Sequence, residues 1–489
     1  MVAKLINGYA IFGGLTVALV AFIALMKRAV RLPFLWFALA SLSPGLCLAA
    51  EKPWMEVRSP HFRVLTDGRE KDARRVAREF EQMRSVFAVR FPTFRLDTAA
   101  PLLIFAVRDE ESAKNLFPAM WRGKDRKVSG YYQQSWEKQY AMVRLDQDQP
   151  GSFQVVYHEY IHSIIHMNSR WLPTWMDEGL AEFFGSSRFE GDKVFLGYPS
   201  SRLPYVQGQA LIPIDKLIAV NEASPYYRDE DKVQKFYAES WALIHFMQFG
   251  DGMERGAKMD RFLTLLDQGV DQPKAFAQVF GDSKKMDAAL RFYLTGLTLA
   301  GVTMRDLPKF EDKDFANRVL TAAETEAELG GYHLSVGDRS NARALIEQAL
   351  KDDLKLGIAH EYMGMLNFNE GKDEDADADF SQAYQIDPTL YLSLFFKTML
   401  SPAAQPGFVG DRGELYTSLL KVLAIRSEFA PVYVQLAFYH LRNGNLTNAL
   451  LMAKKAQHAE PSRAGYYSLI GHILQLMGKQ EDAATIRAT

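Results

Sequence analysis

His158-Glu159-Tyr160-Ile161-His162, followed by Leu172-Pro173-Thr174-Trp175-Met176-Asp177-Glu178-Gly179-Leu180-Ala181-Glu182-Phe183-Phe184, is the stretch that decides how this chain is read. Positions i and i+4 share one face of an α-helix, so His158 and His162 can offer both imidazoles to a single zinc ion. Glu159 lies one position round, placed to take a proton from an attacking water. Phe153, Val156, Ile161, Ile164 and Ile165 make the same helix apolar enough to be buried, and an unpaired charge such as Glu159 needs a reason to be there. The chain holds one cysteine, Cys47, so thiolate metal centres and intramolecular disulfides are ruled out, and any metal is held by histidine and carboxylate.

A zinc ion that acts on a substrate takes three protein ligands and keeps a fourth position open. The stretch 172–184 resembles the second zinc helix of the gluzincin metallopeptidases, the class of thermolysin and the large zinc aminopeptidases, and Asp177-Glu178-Gly179-Leu180-Ala181 matches their N-E-G-x-A pattern. The resemblance implies Glu178 as third ligand and Glu182, one turn on, as the carboxylate that hydrogen-bonds the first histidine. The spacer is a departure: 15 residues separate His162 from Glu178, fewer than in the large aminopeptidases, which keeps Glu182 as the alternative ligand. His166 continues the series 158, 162, 166, but a third turn of a straight helix is too far to share the ion, so a packing or supporting role is expected. Gluzincins also use a Tyr or His from a later helix as oxyanion donor. In Phe236-Tyr237-Ala238-Glu239-Ser240-Trp241-Ala242-Leu243-Ile244-His245-Phe246, which resembles the corresponding helix of peptidase-MA-like envelope proteins, Tyr237 is the first choice and His245 the second.

Upstream, Phe62–Thr66 and Pro101–Val107 read as buried strands, and 69–90 as a charged helix with Val76, Phe80, Met83 and Phe87 on one face. Residues 130–133 and 140–145 read as a strand pair. The resemblance implies that such an edge strand, ahead of the zinc helix, binds substrate by strand addition. Helices are predicted over 152–166, 174–186, 232–249 and 272–298, and 301–324 reads as a linker.

Beyond it the sequence repeats every 34 residues: Gly330 and Gly364, Gly337 and Gly371, Ala342 and Ala376, then Gly444 and Gly478 and Ala449 and Ala483 in a second register. This resembles the tetratricopeptide (TPR) repeat, in which small residues let antiparallel helices pack closely. The repeats are expected at 325–358, 359–392, 430–463 and 464–489, with an irregular unit at 393–429 and an insertion near Pro402–Arg412.

At the other end, residues 5–25 carry no charge over 21 positions, Lys27, Arg28 and Arg31 follow, and 32–50 is again uncharged. Read from Met26 this is a signal peptide; read as a whole, residues 1–50 form a membrane anchor. Both readings place the remainder outside the cytoplasm, in the periplasm or cell envelope. With 57 Lys+Arg against 59 Asp+Glu, the chain lacks the basic excess of a nucleic-acid binder. The expectation is thus a thermolysin-like α+β zinc peptidase domain at 51–300 and an all-α TPR-like solenoid at 325–489. The partners expected are a peptide or protein substrate and a protein docked on the repeats. The alternative is an envelope scaffold whose zinc domain has little or no activity.

Overall fold

The computed structural model describes residues 53–97, 101–121, 130–134, 137–147, 153–296, 299–405 and 407–488. The expected signal or anchor segment lies outside them, and among the described residues no helix is long and apolar enough to cross a membrane. Six strands form the main sheet: β1 (Met55–Arg58), β2 (Arg63–Thr66), β3 (Leu102–Val107), β4 (Gly130–Gln134), β5 (Gln139–Arg144) and β9 (Ala316–Val319), in the order β4-β5-β3-β2-β1-β9. The centre, β2-β3-β5, is parallel, while β4 and β5 pair antiparallel and leave β4 on the edge. The two expected strand regions and the strand pair are therefore present. Their near-continuous apolar sequence follows from burial of both faces. Leu102, Ile104 and Ala106 point to one core; Leu103, Phe105 and Val107 point to the other.

The first face is covered by α1 (Glu70–Arg90) and α3 (Gln154–Asn168). Phe80 of α1 packs edge-on against Tyr157 and Tyr160 of α3 at 5.2 and 5.4 Å between ring centroids, which fixes the histidine helix over the sheet. Helix α4 (Thr174–Gly185) crosses α3, and α5 (Glu230–Phe249) packs on α4. The expected helix over 272–298 is two helices, α7 (Gln272–Phe280) and α8 (Ser283–Leu294), following α6 (Ala257–Asp267). They break at Gly281, whose φ of +83° no L-residue adopts cheaply. A small second sheet is formed by β6 (Arg188–Glu190), β7 (Lys193–Leu196) and β8 (Val302–Met304).

The second face of the main sheet is covered by α2 (Glu110–Leu116) and by α9 (Ala322–Ser335), the first helix of the repeat region. Leu329 and Tyr332 of α9 join Leu65, Phe105 and Tyr140 in one core. The stretch expected as a linker is thus partly sheet: β9 pairs with β1, and Leu320 donates its N–H to Trp54 O at 2.8 Å. From α9 the chain forms helical hairpins α9–α10 (Arg339–Asp352), α11 (Gly357–Asn369)–α12 (Asp373–Ile386), α13 (Tyr391–Leu400)–α14 (Gly413–Ile425), α15 (Ala430–Arg442)–α16 (Leu446–Ala459) and α17 (Ala464–Leu476)–α18 (Gln480–Ala488). The 34-residue spacing has a steric cause. A Cβ on Gly364 would lie 2.7 Å from the Phe380 ring, and one on Gly330 would lie 2.6 Å from Ile346. The irregular unit is also a hairpin; it absorbs its extra residues between Leu400 and Gly413.

Candidate metal centre

Close approach of three helices builds the site. A Cβ on Gly185 would come within 3.2 Å of His158 N, so α3 and α4 cross almost backbone to backbone. A Cβ on Gly179 would come within 2.6 Å of Ser240 O, so α4 is pressed still more closely on α5. Glu178, next to Gly179, is thereby aimed at the two histidines. His158 Nε2 lies 3.0 Å from His162 Nε2 and 3.1 Å from Glu178 Oε2, and His162 Nε2 lies 3.3 Å from the same oxygen. Three ligands held tetrahedrally about zinc at about 2.0–2.1 Å stand about 3.3 Å apart, so this triangle fits one ion.

The chemistry of the donors fits as well as the distances. Asp177 Oδ1 is 3.1 Å from His162 Nδ1, and Glu182 Oε1 is 3.3 Å from His158 Nδ1. Each carboxylate favours a proton on Nδ1, which turns the lone pair of each Nε2 toward the other and toward Glu178. Among the described residues, Glu182 is the group that His158 Nδ1 faces, and the geometry falls short of a well-aligned hydrogen bond. Burial alone would depress His158, but Glu178 and Glu182 outweigh it and push it up to about 9. His162 is likewise penalised by burial and raised well above its ordinary value by Asp177 and Glu178. Burial opposes the charge of Glu178, but the two imidazoles hold it down at about 2. The carboxylates thus favour positive charge at the two imidazoles, and one dication would satisfy the three converging atoms together.

Glu182, the alternative ligand, is held away from the triangle. It accepts from Arg202 Nε at 2.9 Å, Ser200 Oγ at 3.0 Å and Gln154 Nε2 at 3.0 Å, besides its contact with His158. His166 contacts Asp177 Oδ2 through Nε2 at 2.7 Å, so it supports the group that orients His162. His162, His166 and Asp177 also form a second cluster of metal-binding atoms, but through His162 Nδ1 rather than the Nε2 that faces Glu178. Tyr237 lies at the site, its ring centroid 6.0 Å from that of His158. Its hydroxyl is held far in the neutral form by burial and by the negative charges of Glu178 and Glu159. The charge of Glu159 is felt both by Tyr237 of α5 and by Tyr132 of the edge strand β4. His245, the second choice for oxyanion donor, is elsewhere: it is fully buried, 3.0 Å from Gly197 O and 2.8 Å from the Tyr293 hydroxyl. Two turns beyond Tyr237 on the same helix, it packs the core beneath the small sheet.

Several residues of the site carry no sequence signal. Tyr227 donates to Glu178 Oε1 at 3.0 Å and so leaves Oε2 alone to face the histidines. Arg202 binds Glu182 and sits 5.3 Å from the Tyr237 ring centroid.

No family model and no curated protein matches the chain. Among solved structures, MamA from Desulfovibrio magneticus RS-1 is 16% identical with a TM-score of 0.29, over 34% of this chain and 92% of that one. A thermophilic TPR protein of Thermus thermophilus is 18% identical with a TM-score of 0.28, over 34% of this chain and 89% of its own.

Proposed function

We propose that the chain is a zinc-dependent peptidase of gluzincin type, exported to the periplasm or cell envelope, with its TPR-like repeats serving as the protein-binding part. The observation that carries this reading is the convergence of His158 Nε2, His162 Nε2 and Glu178 Oε2 within 3.3 Å of one another, with Glu159 beside them on the same helix. Zinc bound there would supply Lewis acidity toward water and the scissile carbonyl. Glu159 takes a proton from the attacking water and passes it to the leaving amine. Tyr237, neutral and beside His158, donates to the oxyanion. The edge strand β4 offers its outer backbone to an extended substrate, beside a helix that carries both the histidines and the base. The antiparallel edge strand next to the histidine helix supports the thermolysin-like reading of the α+β region.

The test is hydrolysis of a quenched peptide library by the zinc-loaded protein and by Glu159→Gln. Cleavage by the first alone, at equal zinc content, supports the reading; equal cleavage by both overturns it. A second reading, a protein-binding scaffold without hydrolysis, is favoured by the five stacked hairpins, which make up about a third of the chain. It is supported if the wild type holds zinc and cleaves nothing.

A further inference from the structure

Among the described residues, the repeat stack touches the α+β region at two places far apart in sequence. The first joint is built in. Leu329 and Tyr332 lie in the sheet core, Glu328 pairs with Arg63 Nη2 at 3.0 Å and with Lys138 Nζ at 4.0 Å, and Tyr362 donates to Glu328 at 2.8 Å. Lys138 stands at the tip of the β4–β5 hairpin, 4.4 Å from the Tyr362 ring centroid, so this joint grips the hairpin that carries the edge strand. The second joint is light and polar. Arg95 donates to Ala459 O, the carbonyl ending α16, at 3.2 Å and lies 3.6 Å from Glu428. The same guanidinium also donates to Met167 O at the end of the histidine helix α3. One arginine therefore clasps the negative C-terminal ends of two helices, one from each part of the molecule. Next to it Arg170 lies over the ring of Tyr467 in α17, 3.9 Å from the centroid.

One joint holds the end of the hairpin that carries the edge strand, and the other holds the C-terminal end of the helix bearing His158 and His162. We infer that the repeats close a ring over the metal site, latched by Arg95 and Arg170 onto Glu428, Ala459 and Tyr467, and that the substrate is an extended, unfolded polypeptide segment that enters through this ring. This rests on the peptidase reading for its chemistry, though the ring itself does not. An extended chain occupies about one strand spacing, roughly 5–10 Å across, whereas a folded domain of about 100 residues has a radius of gyration near 13 Å. Trp171, 60% exposed beside the latch, offers an entering chain an apolar rim.

The test uses the full exported chain and the double variant Arg170→Ala/Glu428→Arg. This variant removes the stack and sets a second guanidinium against Arg95 while leaving Arg95 on Met167. Zinc content and thermal melting establish that it is folded. The radius of gyration from small-angle scattering should rise as the latch opens. Wild type should cleave a disulfide-free unfolded protein at least 100-fold faster than the same protein with its disulfides and fold intact, and the variant should shrink that ratio tenfold or more. Unchanged scattering, or an opened variant with the wild-type ratio, overturns the inference. Binding of the fluorescent unfolded chain and of its folded form to Glu159→Gln, read by anisotropy, separates the two claims. Selective binding of the unfolded form without cleavage by the wild type would sink the peptidase reading and keep the ring; equal binding of both forms would sink the ring alone.

Discussion

Gly179→Ala tests the link between packing and chemistry at a single methyl group. The added Cβ would stand 2.6 Å from Ser240 O and 2.7 Å from Ile244 Cγ1. A carbon and a carbonyl oxygen sit comfortably at about 3.3 Å or more, so α4 and α5 must part by roughly 0.7 Å. Ile244 can change rotamer, but the Ser240 obstacle is backbone and no rotamer relieves it. Overpacking of this kind costs about 1–3 kcal/mol, offset by the roughly 1 kcal/mol that alanine gains over glycine inside a helix. The expected net effect is a melting temperature lower by a few degrees in the metal-free protein. The larger effect falls on the metal. Glu178 is the neighbouring residue, and metal–ligand distances tolerate only about 0.2 Å, so a shift of several tenths should weaken zinc affinity on the order of 10–100-fold. Zinc competition against a chromophoric chelator and thermal melting of the metal-free form measure the two effects. Wild-type zinc affinity together with a raised melting temperature would refute the idea that helix approach at Gly179 sets the position of Glu178.

Other expectations follow from named contacts. Glu159→Gln should retain stoichiometric zinc and lose hydrolysis by about 10²–10⁴-fold, checked by metal analysis beside peptide turnover. Asp177→Asn keeps the shape but removes the charge that orients His162, and should cost about 10–100-fold in zinc affinity; His166→Ala, which removes only the contact behind Asp177, should cost far less. Glu239 is buried with one oxygen on the Ile212 N–H, and burial raises it from 4.5 to about 7. Because the folded-state value is the higher one, stability falls as pH rises from about 4.5 to about 7 and the penalty is constant above that. Glu239→Gln should flatten this slope and be more stable than wild type at pH 8 by roughly 3 kcal/mol, read by denaturant titration at pH 5 and pH 8; parallel curves for the two proteins would contradict it.

What the sequence could convey depended on whether a residue's role is set by its own helix or by a distant partner. His158, Glu159 and His162 were legible because one helical turn decides which face they share. Glu178 and Glu182 were legible for the same reason, four apart on α4. Asp177 is next to Glu178 in sequence, yet its role comes from the crossing of α3 and α4, which brings it to His162 Nδ1. Tyr227 reaches Glu178 from a separate segment, 49 residues on, with no periodicity to announce it. His245 has the residue type expected of an oxyanion donor, but it lies two turns from Tyr237, too far along α5 to reach the same site. The stretch 301–324 reads as a linker because Ala316–Val319 is exposed and lacks strand alternation; only pairing with β1 makes it a strand. The repeats were legible because small residues recur wherever two helices touch, while the return of α16 and α17 to Arg95 and Arg170 depends on the curvature of the whole stack.

The most direct measurement of the central claim is X-ray absorption at the zinc edge on the metal-loaded chain. The account predicts about one zinc per chain, two imidazole nitrogens and carboxylate oxygen at about 2.0–2.1 Å, no sulfur, and an open position that a hydroxamate fills. In His162→Ala the imidazole signal should halve or the metal should be lost. A spectrum with oxygen neighbours only, or one unchanged by His162→Ala, would contradict a zinc centre at His158, His162 and Glu178.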